Sequence, residues 1–216
     1  MKTEIVILDF DGTLGDTRRI IVSTMQAAMK ELNLPVADEE TCVRTIGLSL
    51  RDVFLKLYPE LPVKQAEDYM ETYQRLFAEN KGLIPPRLFP GVKETLKVLK
   101  ERDVLLTVAS SRSSASLREL LAQLGISTYI SYVLGADNVL HAKPHPEPVL
   151  KTLRENSIVP ECAVVVGDMP VDIKMGMGAG VRTIGVTYGN SSAEELRNTG
   201  ADCVIDDFSE LLELIG

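Results

Sequence analysis

No run in this sequence approaches the roughly 18 consecutive apolar residues expected of a membrane span, so a bilayer-crossing helix is not expected. The first apolar run, Ile5–Leu8, is too short for the hydrophobic part of a secretory signal, and two acids follow it at once. Cysteine is scarce. Cys42, Cys162 and Cys203 are an odd number with neither metal-site nor redox spacing, and Cys162 and Cys203 sit in or beside apolar runs. They read as small buried hydrophobes in a reducing compartment. Positive charge is also short: 23 Lys and Arg against 31 Asp and Glu leave a net charge of -8 and a pI near 4.9. That balance argues against a nucleic-acid surface, which is normally basic. Internal repeats and low-complexity segments are missing as well. The expectation is a soluble cytoplasmic protein without nucleic-acid or membrane partners, as monomer or homodimer.

With 216 residues, 45% hydrophobic and 25% charged, the chain can form one generous domain or a core domain with a modest insertion. Its organising stretch is Ile5-Val6-Ile7-Leu8-Asp9-Phe10-Asp11-Gly12-Thr13. Four apolar residues, mostly β-branched, suit a parallel strand covered on both faces. On an extended backbone Asp9 and Asp11 point one way and Phe10 the other. This puts two carboxylates at a strand's carboxyl end, where open α/β sheets place their ligands. Taken alone, Asp11-Gly12 also fits an ordinary strand-ending turn.

From Asp16 to Leu88 the pattern is helical, with Ile21, Met25, Ala28 and Leu32 on one face, a second stretch after Ser49, and a third through Ala66, Tyr69, Tyr73 and Phe77. No convincing strand interrupts it. From Phe89 onward strands alternate with helices: Val104–Ser110, Tyr132–Gly135, Ala163–Gly167, Thr183–Thr187 and Cys203–Ile205 read as strands. The expected fold is therefore an α/β, Rossmann-like, doubly wound parallel sheet built from residues 1–15 and 89–216. Residues 16–88 form an inserted all-helical domain that overhangs the acids as a lid. Ser116 and Glu119 are spaced as a capping box for one helix. Gly176-Met177-Gly178-Ala179-Gly180 suggests a dinucleotide fingerprint but falls at a helix end, where Gly180 serves as a cap. Met169, Met175 and Met177 read as core filler.

Other strands also end in reactive groups. Ser110, Ser111 and Arg112 follow one strand and precede a helix, combining hydroxyls with the free N–H groups of a helix start, an anion cradle. Asp168 ends another strand and Asp172 lies in the first turn of the next helix. Lys143 sits in a loop stiffened by Pro144, Pro146 and Pro148. Asp9, Asp11, Asp168 and Asp172 at one sheet edge would oppose one another's ionisation. A hard divalent cation relieves this, and magnesium suits few carboxylates, water and a substrate phosphate. The pattern reads as a phosphate-handling site.

These four segments, in this order, resemble the motifs of the haloacid dehalogenase superfamily of phosphohydrolases: Asp9-Phe10-Asp11-Gly12-Thr13, Ser110, Lys143-Pro144, and Gly167-Asp168 with Asp172. The likeness spans the whole chain and makes the helical insertion that family's cap on a core with strand order 3-2-1-4-5. It implies Asp9 as nucleophile, giving an aspartyl-phosphate, and Asp11 as acid and then base. Magnesium would be held by Asp9, Asp168 and the main-chain carbonyl of Asp11, with Asp172 orienting the metal's surroundings. Ser110 and Lys143 would hold the transferring oxygens.

Within the superfamily the chain looks closest to the phosphoglycolate phosphatase and pyrophosphatase-like group, acting on a small-molecule phosphate ester. The cap turn at Gly47, Leu48 and Ser49 would select the leaving group. Ser111, Arg112 and Arg51 are candidate substrate contacts, as are Arg18 and Arg19, although solvent is the commoner fate of such arginines. The related beta-phosphoglucomutases place an arginine directly after the cap serine; here Leu50 holds that position and Arg51 comes one later, turned by about 100°. A mutase-like phosphoryl transfer and a receiver-like phospho-acceptor switch are the alternatives.

Overall fold

The computed structural model describes residues 2–215. In chain order the elements are β1 (Ile5–Leu8), β2 (Gly15–Asp16), α1 (Arg18–Glu31), α2 (Glu39–Val43), α3 (Leu50–Leu57), α4 (Gln65–Asn80), β3 (Arg87–Leu88), α5 (Val92–Glu101), β4 (Leu105–Ala109), α6 (Ser114–Gln123), β5 (Tyr132–Leu134), α7 (Glu147–Asn156), β6 (Ala163–Gly167), α8 (Pro170–Gly178), β7 (Arg182–Val186), α9 (Ala193–Thr199), β8 (Cys203–Ile205) and α10 (Leu211–Leu214).

Six strands pair in parallel in the order β5-β4-β1-β6-β7-β8, so β8 adds a sixth member to the edge of the expected five-strand order. β1 is central and covered on both sides. Val6 and Leu8 belong to the core beneath α5 and α6 with Leu96, Leu117 and Phe208, whereas Ile5 and Ile7 belong to the opposite core with Val149, Leu153 and Met175. The strict alternation of a strand explains this division. Each such side chain contributes roughly 1.5–3 kcal/mol by leaving water. The chain passes from β1 outward to β4 and β5, then crosses back to β6, so the order reverses between β1 and β6. Asp9 and Asp168 follow these two neighbours, and the crevice between such strands is where open sheets bind ligands.

Residues of α1, α2, α3 and α4 bury a separate apolar cluster with Met25, Phe54 and Tyr69 at its centre. On α1 the buried residues are Ile20, Ile21, Val22, Thr24, Met25, Ala28 and Met29, with Leu32 partly buried against them. The two connections between this unit and the sheet pair as a short antiparallel ribbon, β2 with β3. Sequence reading expected no strand there, because two residues carry no periodic signal. No helix among the described residues is long and apolar enough to cross a membrane.

Three smaller expectations change. Helix α6 is capped by Ser113, whose side chain accepts from the Ser116 N–H at 3.3 Å, so Ser116 lies inside the helix and is not its cap. Met177 is 49% exposed, unlike the buried Met169 and Met175. Cys42 and Cys162 are buried, but Cys203 on the edge strand is only partly so. Gly180, at φ +70°, follows α8 and closes it as expected.

Candidate active site

The backbone after β1 continues its alternation. Phe10 enters the sheet core, whereas Asp9 and Asp11 face the cavity between sheet and helical unit. Gly12 makes this turn possible with φ +91°, and a Cβ there would lie 2.1 Å from Asp168 Oδ2. A side chain at position 12 would therefore displace the neighbouring acid.

Asp9, Asp168 and Asp172 are all buried and offer carboxylate oxygens within 4.8 Å of one another. Lys143 reaches in from the loop before α7. Its Nζ donates to Asp9 Oδ1 at 2.5 Å and to Asp172 Oδ1 at 2.6 Å. Asp168 Oδ2 accepts from the backbone N–H and the side-chain amide of Asn190, each at 2.8 Å, and its Oδ1 accepts from the Thr13 hydroxyl at 3.3 Å. Asp172 Oδ2 also accepts the Met169 N–H at 3.1 Å, tying it to the start of α8.

The cost of this arrangement is electrostatic. Burial pushes Asp9 up to about 7, opposed by Lys143 and reinforced by Asp172 and Asp11. Asp168 is raised well above its ordinary value by burial and then by the charges of Asp9 and Asp172, with the Asn190 hydrogen bonds working against the rise. Lys143 is raised: burial opposes its charge, but Asp172 and Asp9 more than compensate. With all three ionised, three carboxylates against one ammonium would leave two negative charges unbalanced in a buried space. A divalent cation with oxygen ligands matches that excess and that donor set. By geometry and chemistry the triad fits such an ion. The side chain of Asp11 does not join it.

Asp11 is turned toward the helical unit. The Arg112 guanidinium grips it through Nε to Oδ1 and Oδ2 (2.9 and 2.7 Å) and Nη2 to Oδ1 (2.7 Å). Thr17 adds a hydroxyl donated to Oδ1 at 2.6 Å. Thr17 also heads α1, yet its hydroxyl makes no capping bond because the acid takes it. Arg112 stacks on Phe77 of α4, 4.5 Å from the ring centre, so a residue of the sheet domain is clasped by the helical unit.

Further ties close the two units on each other. The Ser111 hydroxyl donates to the Gly47 carbonyl at 2.5 Å. Lys81 of the helical unit pairs with Glu119 of α6. Gly47, at φ +91°, lies so near α8 that a Cβ would sit 3.0 Å from Val171 Cγ2.

Ser110 is buried and lines the same cavity as Asp9, and its Oγ accepts the Arg112 N–H at 3.3 Å. The anion cradle expected at the start of α6 is partly spoken for, since the Ser114 N–H bonds Asp137 and the Ser116 N–H bonds Ser113. Ser49 lines the cavity, but its hydroxyl caps α3 and donates to Asp52 at 2.6 Å. Leu50 and Arg51 both line the cavity, so the one-position offset does not remove Arg51 from it, though Arg51 is exposed. Arg18 and Arg19 are exposed and lie away from it, Arg18 pairing with Glu39.

Thr17 and Asn190 escaped the sequence reading, and Thr13 entered it only as part of the first motif, without a role. Asn190 follows β7, so the strand-end logic that found Asp168 could have found it; nothing in the local pattern marked Thr17. A second potential metal group, His141, His145 and Glu147, lies on the exposed side of the Lys143 loop. There Glu147 accepts the backbone N–H groups of Leu140 and His141, each at 2.9 Å, and so braces the loop.

Comparison with known proteins follows the same lines. The sequence profile of the haloacid dehalogenase-like hydrolase family matches residues 6–186. Among curated proteins, "Probable phosphatase IndB" of Dickeya dadantii is 37% identical, covering 96% of this chain and 91% of that protein. A phosphoglycolate phosphatase of Haemophilus influenzae is 31% identical over the full length of both chains. Pyrophosphatase PpaX of Oceanobacillus iheyensis is 30% identical, covering 100% of this chain and 98% of that one. Among solved structures, a predicted phosphoglycolate phosphatase of Haemophilus somnus superposes with a TM-score of 0.86 at 28% identity, covering 100% of this chain and 99% of that one.

Proposed function

The chain belongs to the haloacid dehalogenase-like hydrolase family, and from that premise we propose that it is a phosphatase of small phosphate esters, with Asp9 as the nucleophile. One observation carries the reading: a buried lysine bridges Asp9 and Asp172 while Asp168 stands within ligand distance of both. An ordinary structural ion pair needs one acid per lysine; three acids are arranged for a cation and a phosphoryl group.

Asp9, Asp168 and Asp172 would hold a divalent ion, which we assign as magnesium, with the Asp11 main-chain carbonyl as a further ligand. When bound, that ion supplies positive charge to the acids and to the phosphoryl oxygens. Lys143 orients the Asp9 carboxylate and adds charge beside the attacked phosphorus. Ser110, lining the same cavity, donates to a phosphoryl oxygen. Asp9 forms a bond to phosphorus as the bond to the leaving oxygen breaks, and Asp11 gives that oxygen its proton. Water then attacks the phosphorus of the aspartyl-phosphate as Asp11 takes the water's proton, and the Asp9–phosphorus bond breaks to release inorganic phosphate. Arg112 spans both Asp11 oxygens in this closed arrangement, so Asp11 can take up the proton it passes on only as one of those bonds yields. Arg112 thereby governs when Asp11 acts.

The test is Asp9→Asn assayed on a phosphomonoester with magnesium. Turnover should vanish while the melting temperature stays at or above that of the wild type. Hydrolysis by the variant at the wild-type rate would remove Asp9 from the role. Repeated turnover, in place of a single equivalent of phosphoprotein, separates this reading from a receiver-like switch.

A further inference from the structure

The cavity over Asp9 and Asp11 is large for the substrates of the relatives that resemble this chain. It measures about 600 Å³, within the range of roughly 300–1,000 Å³ in which pockets enclose drug-sized ligands. Away from the acids its wall is mainly apolar and comes from the helical unit: Ile46, Leu50, Val53, Met70 and Tyr73, with Phe77 beneath Arg112. A two-carbon acid or an inorganic phosphate as leaving group would leave most of this volume to water held against apolar walls, which is unfavourable.

The cations tell the same story independently. Lys143 is committed to Asp9 and Asp172, and Arg112, its side chain only 11% exposed, to both oxygens of Asp11. At the cavity edge Lys81 is paired with Glu119, and Arg51 is exposed. Among the described residues lining the cavity, none is a buried cation left over for a second anionic group. A second anion on the substrate would therefore have to break the bidentate Arg112–Asp11 pair to find a buried cation.

We propose that the natural substrate is a phosphomonoester whose leaving group is bulky, has an apolar body and carries no second strong anion. The body lies along Ile46, Leu50 and Met70 while the phosphate meets Asp9 and Lys143. The proposal rests on the phosphatase reading above and deepens it, because it parts company with phosphoglycolate and pyrophosphate.

The experiment compares kcat/KM for 2-phenylethyl phosphate, ethyl phosphate, phosphoglycolate and pyrophosphate with magnesium. The three esters have alkyl leaving groups, so leaving-group acidity does not bias the comparison toward the bulky one. The phenylethyl ester should be preferred over ethyl phosphate and phosphoglycolate by about tenfold or more, the scale on which apolar pockets discriminate. Met70→Trp and, as a second variant at another half-exposed wall position, Leu50→Trp should each reduce that preference severalfold, with melting curves confirming that they fold. Equal or better use of phosphoglycolate or pyrophosphate would overturn the proposal and mean that Arg112 leaves Asp11 for the second anion. A preference untouched by both wall variants overturns the placement of the leaving group. If no ester is turned over at all, the phosphatase reading itself falls, and this one with it.

Discussion

Removing the divalent ion should make the stability of this protein fall as pH rises, and the structure indicates by how much. Asp9 is held near 7 against an ordinary value of 3.8, chiefly by burial, and Asp168 is raised in the same direction. Between those two pH values the folded metal-free protein holds a proton on Asp9 that the unfolded chain has released. Stability is therefore full below about pH 4 for this group and is lost as pH rises toward 7. At ~1.4 kcal/mol per pH unit, Asp9 alone accounts for about 4 kcal/mol in all, of which about 3 kcal/mol falls above pH 5. For a chain of this size that corresponds to a melting shift on the order of 10 °C. Lys143 is raised from a value already above 10, so it stays charged and does not tilt the profile in this window.

The assay is thermal unfolding from pH 5 to pH 8 in chelator and in excess magnesium. In chelator the melting temperature should drop across the range. With magnesium the drop should shrink, because the ion binds the ionised acids, so the gain from the ion should grow with pH. Asp168→Asn removes one buried negative charge but keeps an acceptor for Asn190. It should melt higher than the wild type in chelator at pH 8 and respond little to magnesium. A flat profile in chelator, or a metal gain that is independent of pH and survives in Asp168→Asn, would refute the electrostatic account.

Further outcomes follow from individual contacts. Lys143→Ala leaves Asp9 and Asp172 without their shared cation; breaking a buried pair this way costs about 3–5 kcal/mol, and magnesium should recover part of the lost melting temperature while turnover stays abolished. Arg112→Ala deprives Asp11 of its guanidinium and Phe77 of its stacking partner. We expect kcat to fall by roughly 100-fold, the lower end of acid–base contributions, with Arg112→Lys recovering only part, since an ammonium cannot span both oxygens. Gly47→Ala sets a side chain at φ +91° and 3.0 Å from Val171. It should raise KM more than it lowers kcat, and a melting shift without any change in KM would mean that this turn does not govern closure.

Much of this protein was determined by residue order alone. The buried run Ile5–Leu8 and its neighbours specify a parallel sheet, because period-two burial on both faces has few other solutions. Strand ends mark where Asp9, Asp11, Ser110 and Asp168 must lie, since a strand that stops at the same edge delivers its next side chain to a common place. Too many acids at that edge make a cation the expected counter-charge. Tertiary structure decided what those side chains do with one another. Arg112 and Asp11 are separated by 101 residues, and the reach of a guanidinium cannot be read from spacing. Thr17 gave up capping for Asp11, and Ser113 took the helix start expected of Ser116, because hydroxyls go to whichever partner the fold brings within about 3 Å. The closure of the helical unit, through Ser111 with Gly47 and Arg112 with Phe77, lies in contacts between segments whose own patterns record only which face is apolar. Local patterns set the elements and their edges. Only the assembled surfaces choose the partners of long, charged side chains.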